Sequence, residues 1–392
     1  MEQNLKTLEN ALRVCYLPAL QNQLSTEPAA ILSKIEKTQL QGNYVETTAP
    51  IGLNGGFGFG EEGSATPVSG AQRYEKFKTV AKDMYVNLEI SEKAIRLGNT
   101  SKGALVNALD SEVKGSYTTA KWNVGRSLYG NGTGILATCS AANATSVVSV
   151  GNTKFLKEGL IVDFYAKGAS VGTAPTKAAV RIKAVDRVNN KIQLYEDVTV
   201  GEGFITVQNS YGREITGIGT IFDDSVKTIY GLSKEENPFL VPTTYDAKED
   251  IHDGIITSAL RESDEYHNGS IDTLIFGNAA YDAYVAYLRT NNVRVESKAL
   301  EGGFQAIMFN YGKREIEVIN ESYIPDNEIW GVDCKSLELQ TSGWDFARAK
   351  DGSTFNLVPG TSKHRALLAN YGDLVCKNPG ACIRIYNVAP GV

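Results

Sequence analysis

Cysteine and histidine are scarce in this chain of 392 residues, with five of the first (Cys15, Cys139, Cys334, Cys376, Cys382) and three of the second (His252, His267, His364). No two cysteines stand in C-x-x-C spacing and their number is odd. This argues against a zinc site or a disulfide framework and for reduced thiols in a cytoplasmic compartment. The histidines lie in separate segments without metal-ligand spacing. His252 and His267 fall near the two ends of one predicted helix, where they cap it or face water. G-x-S-x-G, H-E-x-x-H and G-x-x-x-x-G-K-[ST] are all missing, so none of these signatures anchors hydrolase, zincin or phosphate-loop chemistry. No apolar run approaches the ~20 residues that span a bilayer, and the polar start MEQNLKTLEN predicts no secretory leader. There is also no dense run of Lys or Arg, and the formal net charge is -6. A protein that tracks phosphates carries a basic face, and mild acidity weakens adhesion to DNA.

Glycine and tyrosine, by contrast, are plentiful, at 38 and 19 residues. Both suit turns, strands and amphipathic contact surfaces. Residues 42 to 70 collect Gly, Ser, Thr and Pro with almost no periodicity, the mark of a long functional loop. Inside it, Gly58-Phe59-Gly60-Glu61-Glu62-Gly63 fits G-x-G-x-x-G. A dinucleotide turn needs a buried apolar strand before it and a helix N-terminus after it. YVETTAPIGL and SATPVSG provide neither, and Glu61 and Glu62 would face the phosphates. The stretch is better explained as a flexible arm that changes shape on meeting a neighbour. The segment QRYEKFKTVAKDMYVNLEIS that follows alternates in its second half, so 42 to 90 is predicted to be an extended loop leading into a β-hairpin.

The N-terminal segment has Leu5, Leu8, Leu12, Cys15, Leu20 and Leu24 near one helical face, and Pro18 splits it. A second short helix is predicted from Pro28, with Thr26 or Glu27 near its cap. Neither has enough apolar surface to stand alone, so the segment is predicted to be an arm that packs on something else. Leu105, Leu109, Val113, Tyr117, Ala120, Val124 and Leu128 form one stripe at helical spacing. Thr100 or Ser101 caps its start and Gly130 stops it. The resulting helix is about 45 Å long, a strut laid across a sheet.

From about Ile135 to Thr216 the chain is β-rich. AVRIKAV sets Val180 and Ile182 against Arg181 and Lys183. Asn189-Asn190 turns the chain, and KIQLYEDV sets Ile192 and Leu194 against Gln193 and Tyr195. With GFITVQN this predicts a small barrel or sandwich inserted between helical parts. Beyond Thr243 the pattern is mixed. YDAKEDIHDGIITSALRESDEY is helical with Ile251, Ile255 and Ala259 on one face, and IDTLIFG is a buried strand. Asn278 caps AAYDAYVAYLRT, and EIEVI, EIWGV, LELQ and CIRIYNV are short strands.

The remaining chemistry-bearing residues have plain explanations. Asp223-Asp224 and Glu235-Glu236 sit in turn-like context and solvate the surface. Trp122, Trp330 and Trp344 anchor the core or a contact face. Lys76 and Lys78 flank Phe77 and either blunt a strand edge or pair with a neighbouring subunit. No catalytic, cofactor-binding or metal residue emerges. An unanchored arm, a glycine-rich loop and a strut helix leave much surface for a partner.

The order of elements is where a resemblance appears. EEGSATPVSGAQRYEKFKTVAKDMYVNLEIS precedes the long helix ending in GRSLYGNGTG, and the β-rich insert resumes at GREITGIGTIFDD. DTLIFGNAAYDAYVAYL, IEVINESYIPDNEIWGVD and NPGACIRIYNV then follow. Over essentially its whole length the chain resembles the major capsid proteins of tailed bacteriophages, which have the Hong Kong 97-like fold.

The resemblance implies an α+β structure. Its N-terminal arm would be 1–41, an extended loop and β-hairpin 42–90, and a peripheral domain with a spine helix 91–134. A β-barrel-like insertion domain 135–216 and a return to the peripheral domain 217–242 would follow. The axial domain would be 243–392, with terminal strands returning to the peripheral domain. It further implies a structural protein without enzymatic activity or cofactor, self-assembling into hexamers and pentamers of an icosahedral head around double-stranded DNA. Its partners would be a portal, a separate scaffolding protein and cement proteins, with packaged DNA contacted weakly and no membrane. Assembly would take place in the bacterial host cytoplasm and the product would be the virion. Phe57, Phe59, Glu61, Glu62, Lys76 and Lys78 become the candidates for intersubunit contact. A bacterial nanocompartment shell of the encapsulin type is the alternative, though that group is usually shorter and lacks the 135–216 insert. An enzyme using Gly58 to Gly63 for a nucleotide is a more distant one.

Overall fold

A computed structural model describes residue 9 and residues 11–52, 55–63, 65–97, 102–248, 251–291, 297–299, 305–348 and 352–389. Leu5, Leu8, Thr100 and Ser101 lie outside these, as do the side chains of Cys15, Leu105 and Leu109. The chain forms two compact units, one from residues 1–129 and 217–392 and the other from 130–216. No helix among the described residues is long and apolar enough to cross a membrane.

In the first unit a π-helical turn, Ala11–Tyr16, runs into helix α1, Leu17–Thr26. Pro18 stands in the first turn of α1, where its missing N–H costs nothing. The short helix expected from Pro28 is instead a 3₁₀ turn at Ala30–Ser33, preceded by an extended Ala29 with no side-chain cap. Thr26 and Glu27 end α1 rather than start its successor.

Strands β1 (Glu36–Gln39), β2 (Tyr44–Ile51), β3 (Arg73–Val80) and β4 (Lys82–Ser91) follow. Helix α2 (Glu92–Leu97) then precedes α3, Lys102–Tyr129, whose 28 residues make a rod about 42 Å long. The predicted stripe is the buried one: Val113, Ala120 and Leu128 are buried, and Tyr117 and Val124 pack beside them. Gly125 is there for close approach, because a Cβ would stand 2.5 Å from the Pro28 carbonyl oxygen and 2.8 Å from the Tyr323 ring.

After residue 216 come α4 (Gly219–Phe222) and the two-residue strands β11 (Thr228–Ile229) and β12 (Leu232–Ser233). Strand β13 is Thr243–Asp246, α5 is Asp253–His267, β14 is Thr273–Phe276 and α6 is Asn278–Thr290. Strands β15 (Ser297–Ala299), β16 (Gln305–Tyr311), β17 (Arg314–Asn320), β18 (Ile329–Val332) and β19 (Leu337–Thr341) follow. The chain ends through β20 (Asp345–Phe346), β21 (Asn356–Leu357), β22 (Lys363–Cys376) and β23 (Ile383–Tyr386).

Two main sheets organise these elements. One has the order β1-β19-β22-β20, with β4 and β21 also on β22; the other is β13-β23-β18-β14-β17-β16-β15. Met84, Val86, Leu88 and Ile90 of β4, with Ala366 and Leu368 of β22, pack with residues of α1 and α3 in one core. Ile255, Ile256, Ala259 and Leu260 of α5 and Ala280, Tyr284 and Leu288 of α6 cover the second sheet in another.

Several expectations need correction. The N-terminal segment does not wait for a partner: Leu12, Leu20 and Leu24 are buried against Leu88, Ile90, Trp344 and Phe346 of the same chain, and β1 pairs in parallel with β19. Tyr117 donates to Glu27 and Tyr16 to Asp110, so acid–tyrosine contacts in opposite senses pin this segment to α3. The helix expected from Tyr245 starts only at Asp253, because Thr243–Asp246 extends and pairs with β23. Gly277, not Asn278, caps α6, and the Asn278 amide reaches Asp326.

The second unit is built from β5 (Ile135–Cys139), β6 (Ala142–Ser149), β7 (Ile161–Ala166), β8 (Lys177–Asp186), β9 (Lys191–Val200) and β10 (Gly203–Val207). They run in the order β5-β10-β7-β8-β9-β6, and a bridge between Cys139 and Val150 returns β6 to β5. That bridge, with the Ser140 N–H to Ser149 carbonyl and Gly151 N–H to Thr138 carbonyl bonds, brings the two ends of the sheet together at one point. Val180, Ile182, Ile192 and Leu194 point inward as the alternation requires, with Arg181, Lys183 and Tyr195 in water. The register shift in the β7–β8 pairing places Ala179 at φ 56°. Buried Asp163 accepts its N–H at 2.7 Å and that of Asn209 at 2.7 Å, which satisfies donors left without ladder partners.

Candidate functional site

The glycine-rich loop does not lead into a hairpin; it is the tip of one. Strand β2 pairs antiparallel with β3 over eight residue pairs, from Tyr44↔Val80 to Ile51↔Arg73. Residues 52 to 72 connect them, while β4 leaves to pair with β22. The Gln72 amide donates to the Gly52 carbonyl at 2.9 Å and closes the neck of the loop.

The two faces of this ribbon differ because successive side chains alternate. On the inner face Val45, Ala49 and Phe77 are completely buried. Phe77 stacks on Phe239 with ring centroids 6.5 Å apart and lies 5.5 Å from Tyr230. Tyr230 sits at φ 52° in the tight β11–β12 turn, before Gly231 at φ 82°, and its carbonyl accepts the Lys78 N–H at 3.1 Å.

Polar groups complete the root. Thr79 donates to buried Asp373 at 3.0 Å, and Thr47 donates to Glu338 at 3.3 Å. The Gln340 amide donates to the Glu46 carbonyl at 3.0 Å. Glu338 also accepts from Thr38 at 2.7 Å and pairs with Lys377 at 3.0 Å. Burial alone would raise the pKa of its carboxyl, but hydrogen bonds from Thr38, Lys377 and Gln340 hold it below the usual glutamate range.

On the outer face Glu46 pairs with both Lys76 and Lys78, and Lys78 lies over the Tyr44 ring at 3.8 Å. Hydrogen bonds from Lys76 and then Lys78 lower the pKa of the Glu46 carboxyl. The two lysines therefore have their ion-pair partner within the same chain.

Phe57 and Phe59 project from the tip, 81% and 94% exposed, with their rings edge to face at 5.3 Å. Pro67 closes on Gly58 between them, 2.9 Å from where a Cβ would be, so a side chain there would make the loop shift. Glu61 and Glu62 are exposed on the same loop, as is Val68. The Gly58–Gly63 segment is irregular chain, and the next regular element is β3, not a helix. It lacks the strand–turn–helix frame that presents free N–H groups to a pyrophosphate.

The structure thus brings Phe57, Phe59, Glu61 and Glu62 together on the tip and places Lys76 and Lys78 on the shaft. The candidate set missed Tyr44, Glu46 and Tyr74, whose places on the outer face the alternation in YVETTAPI and RYEKFKTV could have revealed. It also missed the root residues Glu338, Gln340 and Asp373, for which the local sequence carries no signal.

Elsewhere, the Nδ1 of His252 accepts the Gly254 N–H at 3.1 Å and caps α5, while His267 is the last residue of that helix. His364 pairs with Glu92 at 2.7 Å. Asp223 accepts from the Ser225 N–H and hydroxyl, and Trp330 and Trp344 are core residues. Among the described residues no three His, Cys, Asp or Glu side chains are placed to hold a metal ion.

No family model matches the chain, and no curated protein matches it. Among solved structures, a chain of the cyanophage A-1(L) capsid asymmetric unit is similar at a TM-score of 0.51 and 11% identity, covering 95% of this chain and 93% of that one. The satellite phage P4 procapsid with its size determination protein gives 0.41 and 11% over 100% and 99%. The capsid of a native GTA particle gives 0.46 and 7% over 93% and 91%. The likeness to the cyanophage chain establishes the fold: this chain is folded as a phage capsid chain is.

Proposed function

We propose that the chain is the major capsid protein of a tailed bacteriophage, assembling as hexamers and pentamers into an icosahedral head around double-stranded DNA. One observation carries this reading: on a capsid-type fold, a hairpin rooted in a buried polar and aromatic network displays an aromatic pair that its own body leaves in water. Phe57 and Phe59 are the contacts that a second copy would cover, with Glu61, Glu62 and the Lys76–Glu46–Lys78 face as the polar surround. Burying two such rings is worth roughly 3–6 kcal/mol before ordering costs, which is weak for one contact. In a closed shell many such contacts form at once and the assembly holds by multiplicity. The long helix α3 and the six-stranded sheet correspond to the peripheral domain, the seven-stranded sheet to the axial domain, and unit 130–216 to the insertion domain.

On this reading a portal, a separate scaffolding protein and cement proteins are the partners. Packaged DNA is contacted weakly, and the protein ends in the virion after assembly in the host cytoplasm. Electron microscopy of the purified full-length protein tests it. Closed icosahedral particles support a shell subunit, and genome or phage proteins co-purifying from infected cells select a phage head over an enzyme-filled nanocompartment. A discrete monomer at all concentrations that binds a nucleotide stoichiometrically overturns it.

A further inference from the structure

The chain passes between its two main sheets twice near the C-terminus, and cysteines mark both crossings. Cys334 lies between β18 and β19. Cys376 is the last residue of β22, in the six-stranded sheet, and Cys382 directly precedes β23 in the seven-stranded one. The Cys376 and Cys382 sulfurs are 4.0 Å apart, both buried and both free thiols. The five residues between them turn through a 3₁₀ segment, Pro379–Ala381.

From this geometry we infer that Cys376 and Cys382 are a site of intrachain disulfide formation, a covalent staple between the ends of the two sheets that closes under peroxide. The inference does not depend on whether the chain builds shells.

A disulfide needs its sulfurs at about 2.05 Å, so the two sulfurs, now 4.0 Å apart, close by roughly 2 Å as the bond forms. The surroundings favour Cys376 as the attacking sulfur. The Ser336 hydroxyl lies 3.6 Å from its sulfur, and the Lys377 N–H to Ser336 carbonyl bond at 2.7 Å holds the two crossings together. Hydrogen bonding from Cys382 lowers the Cys376 pKa against the effect of burial, with Ser336 and the Asn378 N–H adding to it. Cys334, on the other crossing, contacts Thr273 and Asp272 instead, and burial pushes its thiol well up.

The chemistry balances with hydrogen peroxide as oxidant. The Cys376 sulfur attacks one peroxide oxygen and the O–O bond breaks. The departing hydroxide takes a proton and leaves as water, and Cys376 becomes a sulfenic acid. The Cys382 sulfur then attacks that sulfur. The S–S bond forms, the S–O bond breaks, and hydroxide departs with the Cys382 proton as a second water. Two thiols are oxidised and one peroxide is reduced.

The test uses the unaltered full-length protein. It is treated with hydrogen peroxide in native buffer, then denatured, alkylated and digested with trypsin. Cleavage after Lys377 separates the two cysteines into peptides 366–377 and 378–384, so the staple appears as a linked pair two hydrogens lighter than its parts. The expected result is that linked pair as the main product, reversed by dithiothreitol, with Cys334 recovered as an alkylated thiol. Recovery of both peptides unlinked, whether alkylated or separately over-oxidised, overturns the inference. So does either cysteine joined to a different partner.

Discussion

Gly125 shows how a single residue is decided by its neighbour rather than by its helix. Glycine inside a helix costs about 1 kcal/mol relative to alanine, so Gly125→Ala would ordinarily stabilise α3. Here the added carbon would meet the Pro28 carbonyl oxygen at 2.5 Å, a backbone atom that cannot rotate away. Overpacking of this kind costs about 1–3 kcal/mol or more. The expected outcome is a lower midpoint of thermal unfolding for Gly125→Ala, while Gly115→Ala, with open space around it, leaves the midpoint level or raises it.

Glu338 makes a residue-scale prediction about pH. Its folded pKa lies below the usual glutamate value of 4.5. Its stabilisation is therefore complete above that value and is lost as pH falls through it towards the folded pKa. Glu338→Gln should destabilise by about 1–3 kcal/mol at neutral pH. Denaturant midpoints recorded in steps from pH 7 to pH 3 should show the gap to the unaltered protein narrowing on the acid side.

At the scale of elements, the hairpin separates into a part that the fold needs and a part that it does not. Phe77, Val45 and Ala49 belong to the core, whereas residues 55 to 63 are exposed throughout. Deleting residues 52 to 70 therefore removes tip and neck but keeps the root. We expect a chain whose far-ultraviolet circular dichroism and unfolding midpoint stay close to those of the original, yet which forms no stable particles on sizing chromatography. Particles of unchanged size and yield would show that the tip is not an assembly contact.

For the whole molecule, the decisive geometry is where the second unit joins the first. The Ile218 N–H donates to the Leu128 carbonyl at 2.7 Å, so the chain leaves at Tyr129 and returns at Gly217 side by side. A unit whose ends lie together enters and leaves the chain at adjacent points, which is where an insertion is tolerated. Replacing 130–216 by a short Gly-Ser linker should leave the first unit cooperatively folded. The isolated 130–216 segment should give a dispersed amide spectrum of a folded domain. Loss of cooperative unfolding in the first protein, or a collapsed spectrum in the second, would count against this autonomy.

Much of this architecture was legible along the chain where one face of an element is buried and the other is wet. The stripe through Val113, Ala120 and Leu128 fixed α3, and the alternation at Val180, Ile182, Ile192 and Leu194 fixed two barrel strands, because periods of 3.6 and 2 are local properties. Strand β22 had no such signature. It is paired along both edges, and its second half is buried almost continuously, so no alternation survives in ALLANYGDLVC. The extended start at Thr243 and the folding of the N-terminal segment onto its own body were equally illegible, since each depends on a strand or core formed far along the chain. The same is true of the hairpin's root, where Thr47 meets Glu338 across 291 positions. Periodicity by itself determined which segments have an apolar face, and only tertiary packing decided which surface each face would meet, because burial and hydrogen bonding reward proximity in space irrespective of separation in sequence.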